Sequence, residues 1–153
     1  MVTDLFGALL QELGRSLQIK DLHPDRNNTC QIKLATGVAI YVELDHSKEF
    51  VVIGADIAQI PAGRFRENVF REAMKANGLL QPRHGTFAYS KQADRLVLFE
   101  KCPVKDLNGE KIAAIISPLA EKAQLWKETI ARGDVPTVSS VRTGRVGMFG
   151  MKP

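Results

Sequence analysis

The chain has 153 residues, of which 44% are hydrophobic and 25% charged, as expected for one globular domain. It has no run of about 18 apolar residues and no basic region followed by an apolar one at its start, so we expect neither a membrane-spanning helix nor a secretory signal. Acidic residues are interleaved with the basic ones that give the net charge of +4, which argues against a nucleic-acid surface of clustered Lys and Arg.

The first predicted element is an amphipathic helix over residues 3–18. Apolar residues recur there at helical spacing, at Phe6, Leu9, Leu10, Leu13 and Leu17. Gly7 and Gly14 lower its intrinsic helix propensity, so packing must stabilise it, and each glycine would allow another backbone to approach closely.

Three strands are predicted between residues 29 and 60. Apolar residues alternate in the first two, and Thr36-Gly37 between them is a short turn that predicts a hairpin. The third strand begins near Glu49, and its segment Phe50-Val51-Val52-Ile53 is apolar on both faces. We therefore expect both faces of this strand to be covered, one of them by the N-terminal helix.

The second predicted helix, over residues 63–77, is apolar on more than one side. One stripe comprises Phe65, Val69, Ala73 and Ala76, and a second stripe beside it comprises Phe70 and Met74. A helix that is apolar on several faces usually buries more than one of them. In a domain of this size a second copy of the chain is our hypothesis for the additional cover.

Two short strands, over residues 86–90 and 95–101, are joined by a hairpin turn at residues 91–94. A last helix follows over residues 109–131, with Asn108 placed to cap its N-terminus. The apolar stripe of this helix includes Trp126, and Pro118 should kink or split the helix. The order of helix, three strands, helix, two strands and helix predicts an α+β fold, an antiparallel sheet with helices packed on it.

Residues 134–153 show neither helical nor strand periodicity. We predict a flexible C-terminal tail after a domain of residues 1–133. The tail carries Arg142, Arg145 and Lys152 against Asp134, so it is basic.

No catalytic, cofactor-binding or metal site is predicted. The histidines, His23, His46 and His84, lie in predicted turns without the spacing of metal ligands, and Cys30 and Cys102 are far apart in sequence. No phosphate-binding or nucleophile motif appears. The surplus of apolar surface favours a binding protein whose groove, between the first helix and the sheet, takes an extended peptide. From the residues alone, an equal alternative is that these side chains fill one core or a dimer interface.

The series of motifs resembles the class I chaperones of bacterial type III secretion, the CesT-like or Tir-chaperone family. Its most specific parts are Ala-Met-Lys-Ala-Asn-Gly-Leu at residues 73–79, Gly-Thr-Phe-Ala-Tyr at 85–89, Asp-Arg-Leu-Val-Leu-Phe-Glu at 94–100, and the tryptophan near the end of the last helix. The resemblance covers about residues 4–132.

This resemblance implies a cytoplasmic bacterial homodimer without enzymatic activity or cofactor. It implies binding to the N-terminal region of secreted effector proteins, which is kept non-globular and soluble and delivered to the export apparatus, with the export ATPase as a further partner. Neither membrane insertion nor nucleic-acid binding is expected. By position, the dimer interface would comprise Phe65, Val69, Phe70, Ala73 and Met74. The effector-binding groove would comprise Leu9, Leu13, Leu17, Ile40, Val42 and Leu98.

Two features depart from the family pattern. Its members are commonly acidic, whereas this chain has a net charge of +4, and the tail after Pro136 is extra. The alternative interpretation is therefore a small α+β nucleic-acid- or protein-binding regulatory domain that uses the basic tail. Binding of that kind to nucleic acid would weaken steeply with salt, because phosphate contacts release counterions.

Overall fold

The elements occur in the predicted order in a computed structural model, which describes residues 4–79 and 84–137. Their bounds are α1 (Asp4–Leu17), β1 (Thr29–Lys33), β2 (Ala39–Leu44), β3 (Phe50–Ala58), α2 (Arg64–Asn77), β4 (Thr86–Ser90), β5 (Arg95–Pro103) and α3 (Gly109–Ala131). A short 3₁₀ helix, Val104–Asp106, joins β5 to α3 and has no counterpart in the sequence prediction. The α+β assignment is confirmed.

The five strands form one antiparallel sheet in the order β1-β2-β3-β5-β4. Both predicted hairpins are present, β1 with β2 and β4 with β5. The two longest strands, β3 and β5, pair in the middle of the sheet, where Gly54 lies opposite Phe99. β1 and β4 are consequently the edge strands.

One face of the sheet carries the hydrophobic core. Alternate residues of β3 are buried on this face, namely Val51, Ile53, Ala55 and Ile57. We expected the N-terminal helix to cover this strand, but α3 lies on β3 and α1 packs mainly on α3. With 23 residues, α3 is long enough to cross the sheet, whereas α1 has 14.

The opposite face of β3 is not fully covered in the single chain, contrary to the prediction. Phe50 and Val52 remain half-buried, and so does Phe99 on the neighbouring strand. This face therefore stays partly open to solvent in the single chain.

α3 follows its predicted bounds, and Asn108 caps it as expected. Asn108 Oδ1 accepts a hydrogen bond of 2.8 Å from the Lys111 amide. The helix runs without interruption past Pro118, so the predicted alternative of a split at that residue is wrong. Trp126 is fully buried, and its ring centroid lies 4.2 Å from that of Phe87 in β4. The C-terminal half of α3 is thereby fixed to the sheet.

Close approach of backbones joins α1 to α3. An added Cβ on Gly109 would lie 2.4 Å from the carbonyl carbon of Glu12, so only glycine fits this position without a shift. The Gly109 amide donates a 2.9 Å hydrogen bond to Glu12 Oε1. Gly14 also meets a backbone, since its Cβ would lie 2.6 Å from Ile19 O, whereas Gly7 faces open space, so the expected close approach occurs at Gly14 and is absent at Gly7.

Asn77, the last residue of α2, fixes this helix to the edge strand β4. Its Nδ2 donates to Phe87 O at 3.0 Å, and the Phe87 amide donates to its Oδ1 at 2.8 Å. The side-chain amide thus pairs with β4 as another strand would, which satisfies both backbone groups of Phe87. This contact gives a physical reason for the asparagine in the motif at residues 73–79.

The chain turns sharply where α3 ends. Gly133 has a positive φ of 85°, its amide donates to Ile130 O, and the Asp134 amide donates to Thr129 O. These are the two hydrogen bonds of a Schellman motif. Val135 then packs against the core and Pro136 is buried, so the start of the predicted tail lies on the domain. Residues 138–153 of that tail lie outside the described residues.

Candidate functional site

A groove lies between α3, the C-terminal end of α1 and the turn between β1 and β2, and we call it the helix groove. Its volume is about 510 Å³. Ile116 and Ala120 on α3 form its buried floor. Leu17 and Leu34 are partly buried along it, and Leu125 is 43% exposed. The helix groove can therefore take up apolar side chains.

The charged side chains that line the helix groove among the described residues are both acidic, Glu121 and Glu128. Gln124 lies between them along the helix, and its Nε2 donates a hydrogen bond to Glu128. Its Oε1 is buried and has no hydrogen-bond partner within the described part of the chain. Buried polar atoms normally have a partner, so this acceptor fits a donor brought in by a bound segment.

A second concave surface, the open sheet face, lies on the side of the sheet away from α3. Its apolar part comprises Tyr41, Val52, Gly54, Val97 and Phe99, around a hollow of about 430 Å³. At one end Arg95 Nε donates to Asp56 Oδ1 at 2.5 Å. The hollow coincides with Gly54, because a glycine leaves the strand without a side chain at that point.

A third surface, the α2 face, comprises Phe70 and Met74 on the helix and Tyr89 on β4. Met74 is 58% exposed and Tyr89 41% exposed, and the rings of Phe70 and Tyr89 are 5.6 Å apart between centroids. Arg66 places its guanidinium 5.2 Å from the Phe70 centroid and 5.1 Å from the Tyr89 centroid. The cation thus contacts both rings and orients them.

Asp94, in the turn between β4 and β5, completes this arrangement. It accepts hydrogen bonds from the Tyr89 hydroxyl at 2.6 Å, from Gln59 at 3.3 Å and from Arg66 at 3.4 Å. These contacts lower the pKa of the Asp94 carboxyl, chiefly through the Tyr89 hydroxyl and then Gln59, and the same bond raises the pKa of Tyr89. These polar groups beside the α2 face are therefore paired with one another.

The residues predicted for the dimer interface separate into two sets. Val69 and Ala73 are fully buried within the single chain, as part of its own core. Phe65 and Phe70 are partly buried, and Met74 is the most exposed of the five. Their role in a dimer stays a prediction, and its accessible part is the second stripe, Phe70 and Met74.

The residues predicted for the effector groove lie mostly beneath the surface. Five of them belong to the core with at most 6% exposure: Leu9, Leu13, Ile40, Val42 and Leu98. Leu17 lines the helix groove. The structure thus brings Leu17 to the helix groove, and Leu98, although buried, also lines the hollow of the open sheet face. The other four lie in the layer below, and the assignment of the groove to binding stays a prediction.

Two exposed residues, Leu125 and Tyr89, were not predicted to lie at a functional surface. Leu125 lies next to Trp126 but off the stripe from Ile112 to Ile130, so helical periodicity does not single it out. Tyr89 shares the alternation of Phe87, which is buried, yet it is itself exposed and stacks on α2. An apolar residue just outside a complete stripe was the available signal for Leu125.

No group of three His, Cys, Asp or Glu side chains in residues 4–79 and 84–137 is arranged to hold a metal ion. Burial raises the pKa of both cysteine thiols, Cys30 and Cys102, which disfavours the reactive thiolate. Among the helices of the described chain, none combines the length and apolar character needed to cross a membrane.

Comparisons with known proteins agree with this architecture. Solved structures with a similar fold include a chain of the HopA1–SchA chaperone–effector complex, with a TM-score of 0.67, 17% identity, and coverage of 84% of this chain and 98% of that one. Another belongs to the Yersinia pestis type III secretion chaperone SycH in complex with a stable fragment of YscM2, with a TM-score of 0.60, 15% identity, and coverage of 79% and 98%.

A third belongs to the ExoT–SpcS complex from Pseudomonas aeruginosa, with a TM-score of 0.61, 13% identity, and coverage of 82% of this chain and 99% of that one. At these identities the likeness is one of fold. No curated protein sequence matches the chain. The family model of the Tir chaperone protein (CesT) family matches residues 8–127, most of the folded domain. The chain therefore belongs to the Tir chaperone (CesT) family.

Proposed function

We propose that this protein is a bacterial type III secretion chaperone that binds the N-terminal regions of secreted effectors in the cytoplasm. It keeps the bound region non-globular and soluble and promotes its delivery to the export apparatus, with the export ATPase as a further partner. The observation that carries this proposal is the apolar helix groove on a chain of the CesT family. Proteins of similar fold are described as a chaperone–effector complex and as a secretion chaperone bound to a partner fragment.

The geometry of the helix groove fits an extended rather than a folded ligand. An extended segment places alternate side chains on one side, where they can reach the apolar floor at Ile116 and Ala120. Apolar side chains held there are removed from water and from one another. The segment consequently stays unfolded yet does not aggregate.

This activity needs no chemistry on the ligand. The family is one of chaperones. In the described residues the helix groove is lined by carboxylates, an amide and the hydroxyls of Thr36 and Ser117, without a histidine, cysteine or lysine to form a nucleophile–base pair. The proposed work of the protein is therefore binding alone, without a cofactor.

We assign the α2 face to a twofold contact with a second copy. Met74 is a large apolar side chain exposed beside an ordered pair of rings, and such a surface is usually covered in a stable assembly. A homodimer formed there would leave both helix grooves accessible, because they are lined by α1, α3 and the turn between β1 and β2 and by no residue of α2.

The test is purification of the tagged full chain from its own cytosol, with mass spectrometry of the proteins that accompany it. We expect effectors whose first residues are protected from limited proteolysis in the complex. Recovery of nucleic acid alone, released by salt, would instead support a nucleic-acid-binding domain. Recovery of the chain by itself would overturn the chaperone assignment.

A further inference from the structure

The C-terminal tail complements the helix groove in charge and in apolar character. Residues 138–153 read Val-Ser-Ser-Val-Arg-Thr-Gly-Arg-Val-Gly-Met-Phe-Gly-Met-Lys-Pro and contain three basic residues and no acidic one. The apolar residues Met148, Phe149 and Met151 lie between the cations. The groove offers the reverse, an apolar floor with Glu121 and Glu128 as its charged side chains within the described residues.

The described chain turns back close to one end of this groove. The Schellman motif at Gly133 reverses the chain just after Ala131, close to Glu128 at one end of the groove. Along α3 the groove extends from Ala113 to Glu128, about 22 Å at 1.5 Å per residue. The 16 residues from 138 to 153 span up to about 53 Å when extended, so they can follow its whole length.

We propose that the tail docks in the helix groove of its own chain and occupies the site of an effector segment until an effector binds. This role as a placeholder rests on the function proposed above. Met148 and Phe149 contact Leu125 and the groove floor, and the arginines lie near Glu121 and Glu128. A backbone amide of the tail donates to Gln124 Oε1, the buried acceptor without a partner in the described chain. Docking removes an apolar surface from water while no effector is bound.

Regulation of effector binding follows from this competition. An effector segment must displace the tail, so its apparent affinity is reduced by the fraction of chains whose groove is free. A segment with more apolar anchors than the tail still binds, whereas a weakly matching cytosolic peptide is excluded. The tail therefore sets a threshold for what the chaperone accepts.

Methyl NMR of the full chain tests docking directly. The chain has four methionines, Met1, Met74, Met148 and Met151, so few methyl signals need assignment. We expect nuclear Overhauser contacts between the Met148 or Met151 methyl group and Leu125. We also expect the replacement Phe149→Ser to lower the docking constant at least about tenfold, because it removes a buried aromatic ring. Methyl shifts typical of an unfolded peptide, without contacts to Leu125, would overturn the proposal.

A charge exchange supplies an independent check. Glu121→Lys with Glu128→Lys, or Arg142→Glu with Arg145→Glu, should each lower the docking constant about fivefold, as expected for two exposed ion pairs. All four changes together should restore it. Glu110→Lys, at an exposed glutamate near the other end of α3, is the matched control and should have no effect. Failure of the combined variant to recover docking would contradict the proposed pairing.

Effector capture by the full chain carrying Phe149→Ser distinguishes a failure of tail docking from a failure of the function on which the inference rests. If docking is seen in the wild type, the variant should retain about threefold more effector from the same cytosol, since the groove is free more often. Effector capture without any tail contact to Leu125 would overturn the docking and leave the chaperone function standing. Tail docking without effector capture in either form would overturn the role as a placeholder together with the proposed function.

Discussion

The α2 face and the helix groove both expose large apolar side chains, and their surroundings differ. Beside Met74 the rings of Phe70 and Tyr89 lie against Arg66. In the adjoining turn, Asp94 accepts hydrogen bonds from Tyr89 and Arg66. Beside Leu125, in contrast, Gln124 Oε1 is buried without a partner in the described residues. The polar groups named at the α2 face bond to one another, whereas the helix groove contains a buried acceptor without a partner in the described residues.

This difference suggests two kinds of partner. A preorganised platform of aromatic rings and a cation loses little side-chain entropy on binding, so it suits a fixed partner such as a second copy. A groove with an apolar floor, acidic edges and an unused acceptor suits segments of varied sequence, since apolar contacts are not directional. We therefore separate assembly from ligand binding, and the predictions below test that separation.

The largest effect is expected from Met74→Asp. A charge at the centre of an apolar interface is costly to bury, so the dimer dissociation constant should rise on the order of 100-fold. Because Met74 is 58% exposed in the single chain, the fold should tolerate the change. Light scattering across a dilution series measures the dissociation constant.

The matched control is Leu5→Asp, the same kind of change at a leucine of α1 that is 61% exposed. It should leave the dimer intact. If Met74→Asp remains dimeric and folded, the second copy binds elsewhere, and the open sheet face around Phe99 becomes the surface to examine.

Asn77→Ala should lower the free energy of unfolding by about 2 kcal/mol, because it removes two partly buried hydrogen bonds to the Phe87 backbone. Urea denaturation gives the difference. Asn68→Ala, on the same helix, serves as control, since Asn68 accepts an exposed hydrogen bond from Arg71. The control should change the free energy by less than about 0.5 kcal/mol. Equal effects at both positions would mean that Asn77 does not fix α2 to β4.

The elements were predictable from the sequence because their signals are local. The spacing of the α3 stripe, the Asn108 cap and the turn at Thr36-Gly37 each depend on a few neighbouring residues. The position of α1 was not predictable in this way. A helix with one apolar stripe can pack on a sheet or on another helix, and the contact at Gly109 that decides the matter joins residues far apart in sequence.

The site residues show the same limit more strongly. Apolar residues of a groove and of a core have the same chemistry, so Leu13 and Val42 were assigned to a groove although they are fully buried. A groove residue and a core residue differ in how much of the protein covers them, and that depends on how α1 and α3 pack together. Leu17, the last residue of α1, is partly buried and lines the helix groove beside α3.

Leu125→Asp should weaken capture of effector segments about tenfold, because it introduces a charge beside the apolar floor of the helix groove. The assay is retention of the effector that accompanies the wild-type chain, measured over a series of chaperone concentrations. Oligomeric state should not change, in contrast to Met74→Asp. The control is again Leu5→Asp, at an exposed leucine outside the groove. Unchanged retention would move the binding surface away from α3.

The smallest effect is expected from Asp94→Asn, and it depends on pH. The pKa of Asp94 is lowered in the folded protein, first by the Tyr89 hydroxyl, so its stabilising contribution is present above the unfolded value of about 3.9 and is lost as the pH falls through the folded one. The variant should therefore unfold at slightly lower urea than the wild type at pH 7, and the two should converge in acid.

Tyr89→Phe is the companion variant, because it removes the hydroxyl that contributes most to the shift while leaving the ring beside Phe70. The carboxyl carbon of Asp94, followed by NMR titration, should then titrate at higher pH than in the wild type. A wild-type Asp94 that titrates in the ordinary range would mean that the hydrogen bond from Tyr89 is not maintained in solution. The α2 face would then lack the fixed aromatic platform that distinguishes it from the helix groove.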